Sequence, residues 1–195
     1  MLKLYEKYLE VIDEYLKKCF EEQKAFIHCK EGCTDCCETG EYPFSRLEME
    51  YLMGGFVKLP GEVQRTIKNN ISDLLKQKPV TGKFMHRCPF LLNGRCALYE
   101  RRGIICRTFG LAAFDEVDGQ RAVRLPECSK IGLNYSEIYD PESGYVDMKK
   151  YREITGAGFA AHPFDLKYMT QELTRGVSGI EFGEIRPMLD WFISK

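Results

Sequence analysis

The N-terminal segment repeats apolar side chains at intervals of three and four positions, the period of an amphipathic helix. Leu9, Leu16 and Cys19 lie on the apolar stripe, and Glu and Lys fill the positions between them. The pattern predicts one long helix over residues 2–27. Because Cys19 lies on the stripe, we expect it to be a small buried hydrophobe.

Further helices are predicted where start signals precede apolar periodicity. Ser45-Arg46-Leu47-Glu48 has the form of a capping box and predicts a short helix that ends near Gly54-Gly55. Pro60 stands near the start of a periodic stretch that predicts a helix over residues 61–78. The C-terminal region predicts three more helices, over residues 147–155, 163–175 and 183–194, the last carrying Trp191 as a core residue.

Two turn signals predict β-hairpins. Asn93-Gly94 separates two apolar runs, and Asp118-Gly119 separates residues 111–117 from 121–125. A short helix over residues 100–108 would carry Cys106. The predicted fold class is mainly α with small β-hairpins (α+β), with an irregular cysteine-rich metal-binding core wrapped by helices.

Two regions are predicted from the distribution of cysteines. Residues 1–137 would form a cysteine-cluster metal-binding domain that includes the N-terminal helix. Residues 138–195 contain no cysteine and would form a helical extension packed on the same core.

Composition and charge narrow the classes of function. The 195 residues are 44% hydrophobic and 29% charged, with a net charge of −1, which is typical of a soluble globular protein. No overall basic excess indicates nucleic-acid binding. The charged N-terminus lacks the apolar core of a signal peptide, and no apolar run is long enough to span a membrane. We therefore expect a cytoplasmic protein without a membrane or nucleic-acid partner.

Nine cysteines in a reducing compartment indicate metal binding or catalysis rather than a disulfide framework. Thiolates favour zinc, copper(I) or iron–sulfur clusters, and four sulfurs complete a tetrahedral zinc site or a cubane cluster. With Cys19 assigned to the core, the candidate metal ligands are Cys29, Cys33, Cys36, Cys37, Cys88, Cys96, Cys106 and Cys128.

The spacing of these cysteines favours an iron–sulfur cluster, with 4Fe-4S preferred, over a zinc ion. Zinc ribbons and fingers usually present two CxxC-like pairs, and only Cys33 and Cys36 have that spacing. Cys29, Cys33 and Cys36 could wrap three corners of a cubane. Cys37 is expected to point away from its neighbour Cys36, toward a second site or the core. One centre with spectator thiols and two four-ligand sites both remain open.

A local basic excess surrounds the distal cysteines. Between residues 83 and 107 a single acid, Glu100, stands among six cations: Lys83, Arg87, Arg95, Arg101, Arg102 and Arg107. Cations near thiolates stabilise them and lower their pKa. The alternatives are a solvated patch or a docking surface for a protein partner or protein substrate. His28 and His86 flank the cysteine groups, and we expect them outside the ligand set.

The ordered motifs resemble those of the YkgJ-type cysteine-cluster proteins, the CxxCxxCC family of zinc- or iron-chelating domains. The resemblance spans residues 29–128, and the cysteine region of flagellin lysine N-methylases is similar. It rests on three motifs, Cys29-x3-Cys33-x2-Cys36-Cys37, Cys88-Pro89-Phe90-Leu91 with Asn93-Gly94-x-Cys96-x-Leu98-Tyr99-Glu100, and Cys106-Arg107-x-Phe109.

The resemblance implies a cysteine-bound metal centre, with Arg107 as a cofactor-binding residue beside Cys106. Cys128 matches a later cysteine of the family. One departure is visible, because the family usually has Arg-Pro where this chain has Arg102-Gly103. Replacing proline with glycine is expected to loosen the backbone that presents Cys106 and Arg107.

Three functions follow from these observations. The first is a metal-centre protein whose cluster or zinc ion is structural or redox-active. The second is a protein-modifying enzyme such as a lysine N-methylase, with S-adenosylmethionine as a cofactor, since Cys-x3-Cys-x2-Cys is also the spacing of radical S-adenosylmethionine enzymes. Asp35 stands where those enzymes have an aromatic, and the chain has too few strands for their barrel. The third is a metal chaperone or sensor.

Overall fold

The computed structural model describes residues 1–30, 32–117, 120–156 and 179–193. The fold is mainly α with small antiparallel two-stranded sheets, as the sequence predicts. Among these residues, no helix combines the length and the apolar character that crossing a bilayer requires.

Six α-helices are described, and several match predicted segments closely. Their bounds are α1 Leu2–Glu22, α2 Asp35–Glu38, α3 Arg46–Phe56, α4 Gly61–Gln77, α5 Ile104–Thr108 and α6 Met148–Thr155. The N-terminal helix ends five residues before its predicted end and is followed by a 3₁₀ turn over Lys24–Phe26. The predicted helix over residues 163–175, and His162 with it, lies outside the described residues.

Among the described residues, six strands form three two-stranded antiparallel sheets. The pairs are β1 Pro43–Ser45 with β6 Ile185–Pro187, β2 Leu91–Leu92 with β3 Arg95–Cys96, and β4 Ala113–Val117 with β5 Gln120–Arg124. Both predicted hairpins are therefore confirmed. The turn between β2 and β3 has positive φ at Asn93 (50°) and Gly94 (71°), as a tight two-residue hairpin requires.

The chain divides into two compact units, each built from separate stretches of sequence. The first unit contains Met1–Leu9, Gly32–Arg107 and the described part of Ser178–Lys195. The second unit contains the described residues of Glu10–Glu31 and Thr108–Val177. Both units thus draw on both sides of position 137, and the predicted division into residues 1–137 and 138–195 stays a prediction.

The C-terminal stretch of the first unit corrects one prediction. A helix over residues 183–194 is wrong, because this stretch is strand β6 followed by a 3₁₀ helix over Met188–Phe192. Its carbonyls accept hydrogen bonds from outside the stretch: Arg46 N donates to Glu184 O (2.9 Å) and Leu47 N to Phe182 O (3.1 Å). Pro187 also lacks the N–H that a helix interior needs. Trp191 is half-buried, and its indole N–H donates to Phe44 O (3.1 Å).

The second unit has its own small apolar core. Its members are Phe26, Ala112, Leu125, Tyr135 and Ile138. The hydroxyl of Tyr135 accepts a hydrogen bond from Ala112 N (3.0 Å) and donates one to Gln23. Cys19 has no exposed surface, which confirms its assignment as a core residue.

Candidate metal centre

Five cysteines of the first unit lie close enough to influence one another electrostatically. These are Cys36 and Cys37 on α2, Cys88 before the first hairpin, Cys96 on β3 and Cys106 on α5. We call them the five-thiol group. All five are half-buried, and all nine cysteines of the chain lie in described residues as thiols rather than disulfides.

Backbone pairing joins the segment that follows α2 to the segment that leads into Cys88. Gly40 and His86 exchange two hydrogen bonds of 3.0 Å, and Cys88 N donates to Cys37 O (2.8 Å). The Tyr42 hydroxyl closes the same region by donating to Cys36 O (3.1 Å). The adjacent Cys36 and Cys37 are therefore held beside Cys88, which is 51 positions from Cys37 in sequence.

The hairpin of β2 and β3 adds the fourth cysteine. Leu91 pairs with Cys96 across the hairpin, and Leu91 N donates to Cys88 O (3.1 Å). Burial raises the pKa of Cys88 and of Cys96, and the backbone N–H groups of Phe90 and Leu91 near Cys88, and of Leu98 near Cys96, act in the opposite direction. N–H···S hydrogen bonds of this kind stabilise thiolates and tune metal centres built on them.

The fifth cysteine, Cys106, is placed by the buried carboxylate of Glu48. One oxygen of Glu48 accepts from Ser45 N (2.8 Å) and Ser45 Oγ (2.7 Å), which completes the predicted capping box of α3. The other oxygen accepts from Ile104 N (2.8 Å) at the start of α5. Glu48 has no exposed surface, and burial raises the pKa of its carboxyl. One side chain therefore caps two helices, and the second of them carries Cys106.

Gly103 permits this arrangement because its backbone lies directly against neighbouring side chains, and the looser presentation of Cys106 and Arg107 stays a prediction. A Cβ at position 103 would lie 2.7 Å from the ring of Phe44 and 3.0 Å from Glu48 Oε1. The neighbouring side chains thus pack directly against the glycine backbone. Gly103 also divides the helix predicted over residues 100–108 into a 3₁₀ turn over Tyr99–Arg101 and α5.

Within the five-thiol group, burial and the charges of neighbouring thiolates raise the pKa values of several thiols. Burial raises the pKa of Cys88 to about 12, and the charges of Cys37 and Cys96 add to the effect. Burial likewise raises the pKa of Cys106, reinforced by Cys88 and Cys37. Because each thiolate disfavours the next, the group can ionise together only if a cation compensates it.

Cys37 is the exception within the group. The Cys36 thiol donates a hydrogen bond to it and thereby lowers its pKa, and the nearby Arg102 guanidinium acts in the same direction. The prediction that Cys37 points away from Cys36 is therefore wrong. Neighbouring side chains on the single turn of α2 are still close enough for their sulfur atoms to meet.

Arg102 is a cation of the basic stretch that acts on the thiols. It lowers the pKa of both Cys37 and Cys96, although burial leaves the pKa of Cys96 raised overall. The guanidinium lies 3.8 Å from the centroid of the Tyr99 ring. Its buried Nε has no hydrogen-bond partner among the described residues. An aromatic face therefore holds this guanidinium, and its charge acts on two of the sulfurs.

Other members of the basic stretch contact the protein itself. Arg87 pairs with Glu38 (2.7 Å), and Arg101 pairs with Glu6 (3.0 Å). Arg107 donates to the carbonyls of Arg102 (3.1 Å) and Glu100 (3.3 Å), so it braces the turn before α5. Its assignment as a cofactor-binding residue stays a prediction, as does a protein partner at residues 83–107.

The remaining candidate ligands lie outside the five-thiol group. Cys33, in the loop before α2, is exposed. Cys29 and Cys128 belong to the second unit, where Cys29 is exposed and Cys128 is buried. The three-cornered arrangement of Cys29, Cys33 and Cys36, and the ligand set of eight, stay predictions.

Both flanking histidines have partners of their own. The His28 ring contacts Glu137 Oε1 (2.7 Å), and the His86 ring contacts the carbonyl of Arg87 (2.8 Å). These contacts agree with the expectation that neither ring is a metal ligand, although they do not test it.

The donor set fits a thiophilic metal or an iron–sulfur cluster. It supplies five sulfurs, three backbone N–H groups directed at them and one arginine. In the part of the chain that is described, no three Cys, His, Asp or Glu side chains are already arranged so that they could hold a metal ion. The thiols are thus grouped by the fold and would complete their coordination geometry around a bound metal.

Sequence reasoning missed two residues that support cysteines. Glu48 was recognisable as a capping residue, but its bond to Ile104 joins positions 56 apart in sequence. Asn134 contacts Cys29 from 105 positions away, and no local signal marks it. Both contacts depend on tertiary structure.

Comparison with known families gives one match. No curated protein and no solved structure is significantly similar to the chain. The model of the family described as "CxxCxxCC: Putative zinc- or iron-chelating domain" matches residues 28–129, just over half of the chain and the stretch that contains all five thiols. The protein belongs to this cysteine-cluster family, whose description is that of a metal-chelating domain.

Proposed function

We propose that this protein binds an iron–sulfur cluster, with 4Fe-4S favoured over zinc, through the five-thiol group. The observation that carries the proposal is that the fold groups these thiols: Cys88 N donates to Cys37 O (2.8 Å), and the hairpin pairs Leu91 with Cys96. Burial raises the pKa of the nearby Cys106, and Cys88, Cys37 and Cys96 add to the effect. Half-buried thiols that oppose one another's ionisation stay protonated until a metal binds their thiolates. The function of the centre would be structural or redox.

Two features favour a cluster over a zinc ion. The five-thiol group contains no CxxC pair of the kind that zinc ribbons present, because Cys36 and Cys37 are adjacent and Cys88, Cys96 and Cys106 come from separate segments. Backbone N–H groups and an arginine near the sulfurs are the means by which proteins tune the reduction potential of clusters.

Each residue around the thiols has a separate task in this proposal. The main-chain N–H groups of Phe90, Leu91 and Leu98 stabilise the thiolates that they contact. Arg102 offsets part of the negative charge of the bound centre. Glu48 keeps Cys106 in place through the first turn of α5.

The proposal extends to the full predicted set of eight ligands. Cys29, Cys33 and Cys128 would complete the centre or belong to a second one, and both arrangements remain open. We propose the cytoplasm as its compartment, since thiol ligands require reducing conditions. The interpretations as a lysine methylase and as a user of S-adenosylmethionine stay predictions, because no contact among the described residues favours them.

The test is the metal content of protein purified without oxygen. We expect brown protein with broad visible absorption, stoichiometric iron and acid-labile sulfide. Colourless protein with stoichiometric zinc would contradict the iron–sulfur assignment and keep metal binding. Protein that contains neither metal, and takes up neither in reconstitution, would contradict the function itself.

Metal delivery is a second candidate, favoured by the exposure of Cys29 and Cys33. An accessible thiolate can attack a bound metal and pass it to a partner, which a fully enclosed centre cannot do. Competition with a mild chelator separates the two functions. A delivery protein should release its metal within minutes, whereas a structural or redox centre should retain it.

A further inference from the structure

The side chain of Asn134 makes a complete set of hydrogen bonds around Cys29 in the second unit. Its Oδ1 accepts from His28 N (2.7 Å) and Cys29 N (2.9 Å). Its Nδ2 donates to Gly110 O (2.8 Å) and to Cys29 Sγ (3.2 Å). A primary amide has two acceptor and two donor positions, so all four are used. Two of the four bonds go to Cys29.

The orientation of this amide follows from its partners. A flipped amide would place its NH₂ group against two backbone N–H donors and its oxygen against the Gly110 carbonyl. Both contacts would be repulsive, so the NH₂ group must face Gly110 and the Cys29 sulfur. The backbone groups of His28, Cys29 and Gly110 therefore fix the amide in the orientation that directs its N–H at the Cys29 sulfur.

Asn134 is anchored as firmly as a core residue. It has no exposed surface, and Ser129 Oγ donates a hydrogen bond to its backbone carbonyl (2.6 Å). Gly110 completes the enclosure, with φ of +92° and space too small for a side chain. A Cβ there would lie 2.8 Å from Asn134 Nδ2 and 3.3 Å from Cys29 Sγ. The amide thus holds the exposed Cys29 from its buried side.

A buried amide directed at an exposed sulfur is more than a packing contact. A hydrogen bond to sulfur stabilises the thiolate over the thiol and reduces the electron density that the sulfur gives to a metal. Asn134 also lies beyond residues 28–129, so the family match does not include it.

We propose that Asn134 is a positioning residue that presents Cys29 as a thiolate ligand to a bound metal. This inference rests on the proposed function, in which Cys29 is one of the ligands. Asn134 itself does not bind the metal. It fixes the main chain of Cys29 through Oδ1 and tunes the sulfur through Nδ2.

Cobalt(II) bound to the full-length, metal-free chain provides the test, because thiolate ligands give cobalt an intense charge-transfer absorption. Asn134→Asp keeps an oxygen for the two backbone N–H groups and replaces the N–H···S donor with a carboxylate oxygen, which repels the sulfur. A more electron-rich sulfur should move the charge-transfer absorption to lower energy. Cys29→Ser should remove one sulfur's share of that absorption, and Asn134→Asp should cause no shift in the Cys29→Ser background.

Ser129→Ala is the matched control. It removes the hydrogen bond to the backbone carbonyl of Asn134 and leaves all four hydrogen bonds of the side-chain amide. It should therefore lower the stability of the protein without shifting the absorption. An unshifted spectrum in Asn134→Asp would overturn the inference. A shift that persists in the Cys29→Ser background would also overturn it, because Asn134 would then act elsewhere.

The two proposals fail in different ways. Normal thiolate absorption in wild-type protein that Cys29→Ser leaves unchanged would overturn this inference and leave the metal centre intact. Absence of thiolate absorption in the wild type would contradict both.

A measurement on cadmium-loaded wild-type protein avoids the variants, which could fold poorly. The Asn134 side-chain amide proton should show scalar coupling to cadmium through the Cys29 sulfur in an NMR spectrum. Coupling of cadmium to Cys29 without coupling to this amide would contradict the inference.

Discussion

The five-thiol group of the first unit and Cys29 of the second unit are supported in different ways. In the five-thiol group, N–H groups two or three residues along the chain point at Cys88 and Cys96. Cys29 instead receives its N–H···S bond from the buried Asn134, 105 positions away. Nearby backbone groups therefore stabilise thiolates in the five-thiol group, whereas a contact formed by tertiary structure stabilises that of Cys29. The comparison predicts that substitutions will affect the two regions differently.

The largest expected effect is the loss of metal on removing a member of the five-thiol group. Cys106→Ser replaces a thiolate ligand with a weak hydroxyl donor, so iron or zinc content should fall to a small fraction of that of the wild type. Cys19→Ser is the control, because Cys19 is a core residue of the second unit. Metal analysis of both purified variants checks the prediction. A loss of metal in Cys19→Ser equal to that in Cys106→Ser would refute the ligand assignment.

A steep dependence of zinc affinity on pH should distinguish the two regions next. The raised pKa values of Cys88, Cys96 and Cys106 mean that these thiols hold their protons in the metal-free chain at neutral pH. Metal binding must release those protons, so affinity rises with pH until the raised pKa values are passed. Each such ligand should contribute about tenfold per pH unit.

Competition titrations between neutral and mildly alkaline pH measure this slope. Cys106→Ser should reduce it by about one proton. A slope that is unchanged in this variant would show that Cys106 does not ionise on binding. Cys37 should add little to the slope, because its pKa is already lowered.

The close packing at Gly103 predicts a loss of stability on substitution. Gly103→Ala places a methyl group 2.7 Å from the Phe44 ring and should cost about 1–3 kcal/mol in the free energy of unfolding. The matched control is Gly54→Ala on α3, where nothing lies within 4 Å of the added Cβ. That change should be neutral or stabilise the protein by roughly 0.5–1 kcal/mol. Denaturant titrations of both variants decide it, and equal effects would show that Gly103 is not tightly packed.

The smallest predicted effect concerns the charge of Arg102. Arg102→Gln removes a cation near Cys37 and Cys96, so the centre becomes harder to reduce. We expect its reduction potential to fall by on the order of tens of millivolts, since the protein screens such interactions only partly. Arg101→Gln, whose partner is Glu6, is the control. An unchanged reduction potential in Arg102→Gln would show that the charge of Arg102 does not act on the metal centre.

Local sequence signals predicted the secondary structure of the first unit well. Ser45 and Glu48 marked the start of α3, and Asn93-Gly94 marked the first hairpin, because each signal acts within four residues. The helix predicted over residues 183–194 was wrong because its apolar positions serve a strand that pairs with β1. That pairing joins residues far apart in sequence, and periodicity does not report it.

The candidate site was predictable in its residue types and less so in its grouping. Cysteine counts and spacing identified the thiols, since metal ligands must be particular residues. The spacing rule failed for Cys37, because the single turn of α2 brings its sulfur to that of Cys36. Asn134 could not be predicted from the sequence, because its role depends on its contacts with the Cys29 sulfur and the Gly110 carbonyl in the folded chain.

The most direct test of the central claim is X-ray absorption at the metal edge of the anaerobically purified protein. We expect an iron edge, a first shell of sulfur atoms and a second shell of iron atoms in the wild-type protein. These signals should weaken in Cys106→Ser and stay unchanged in Cys19→Ser. A first shell dominated by oxygen or nitrogen would contradict a metal centre built on the five-thiol group.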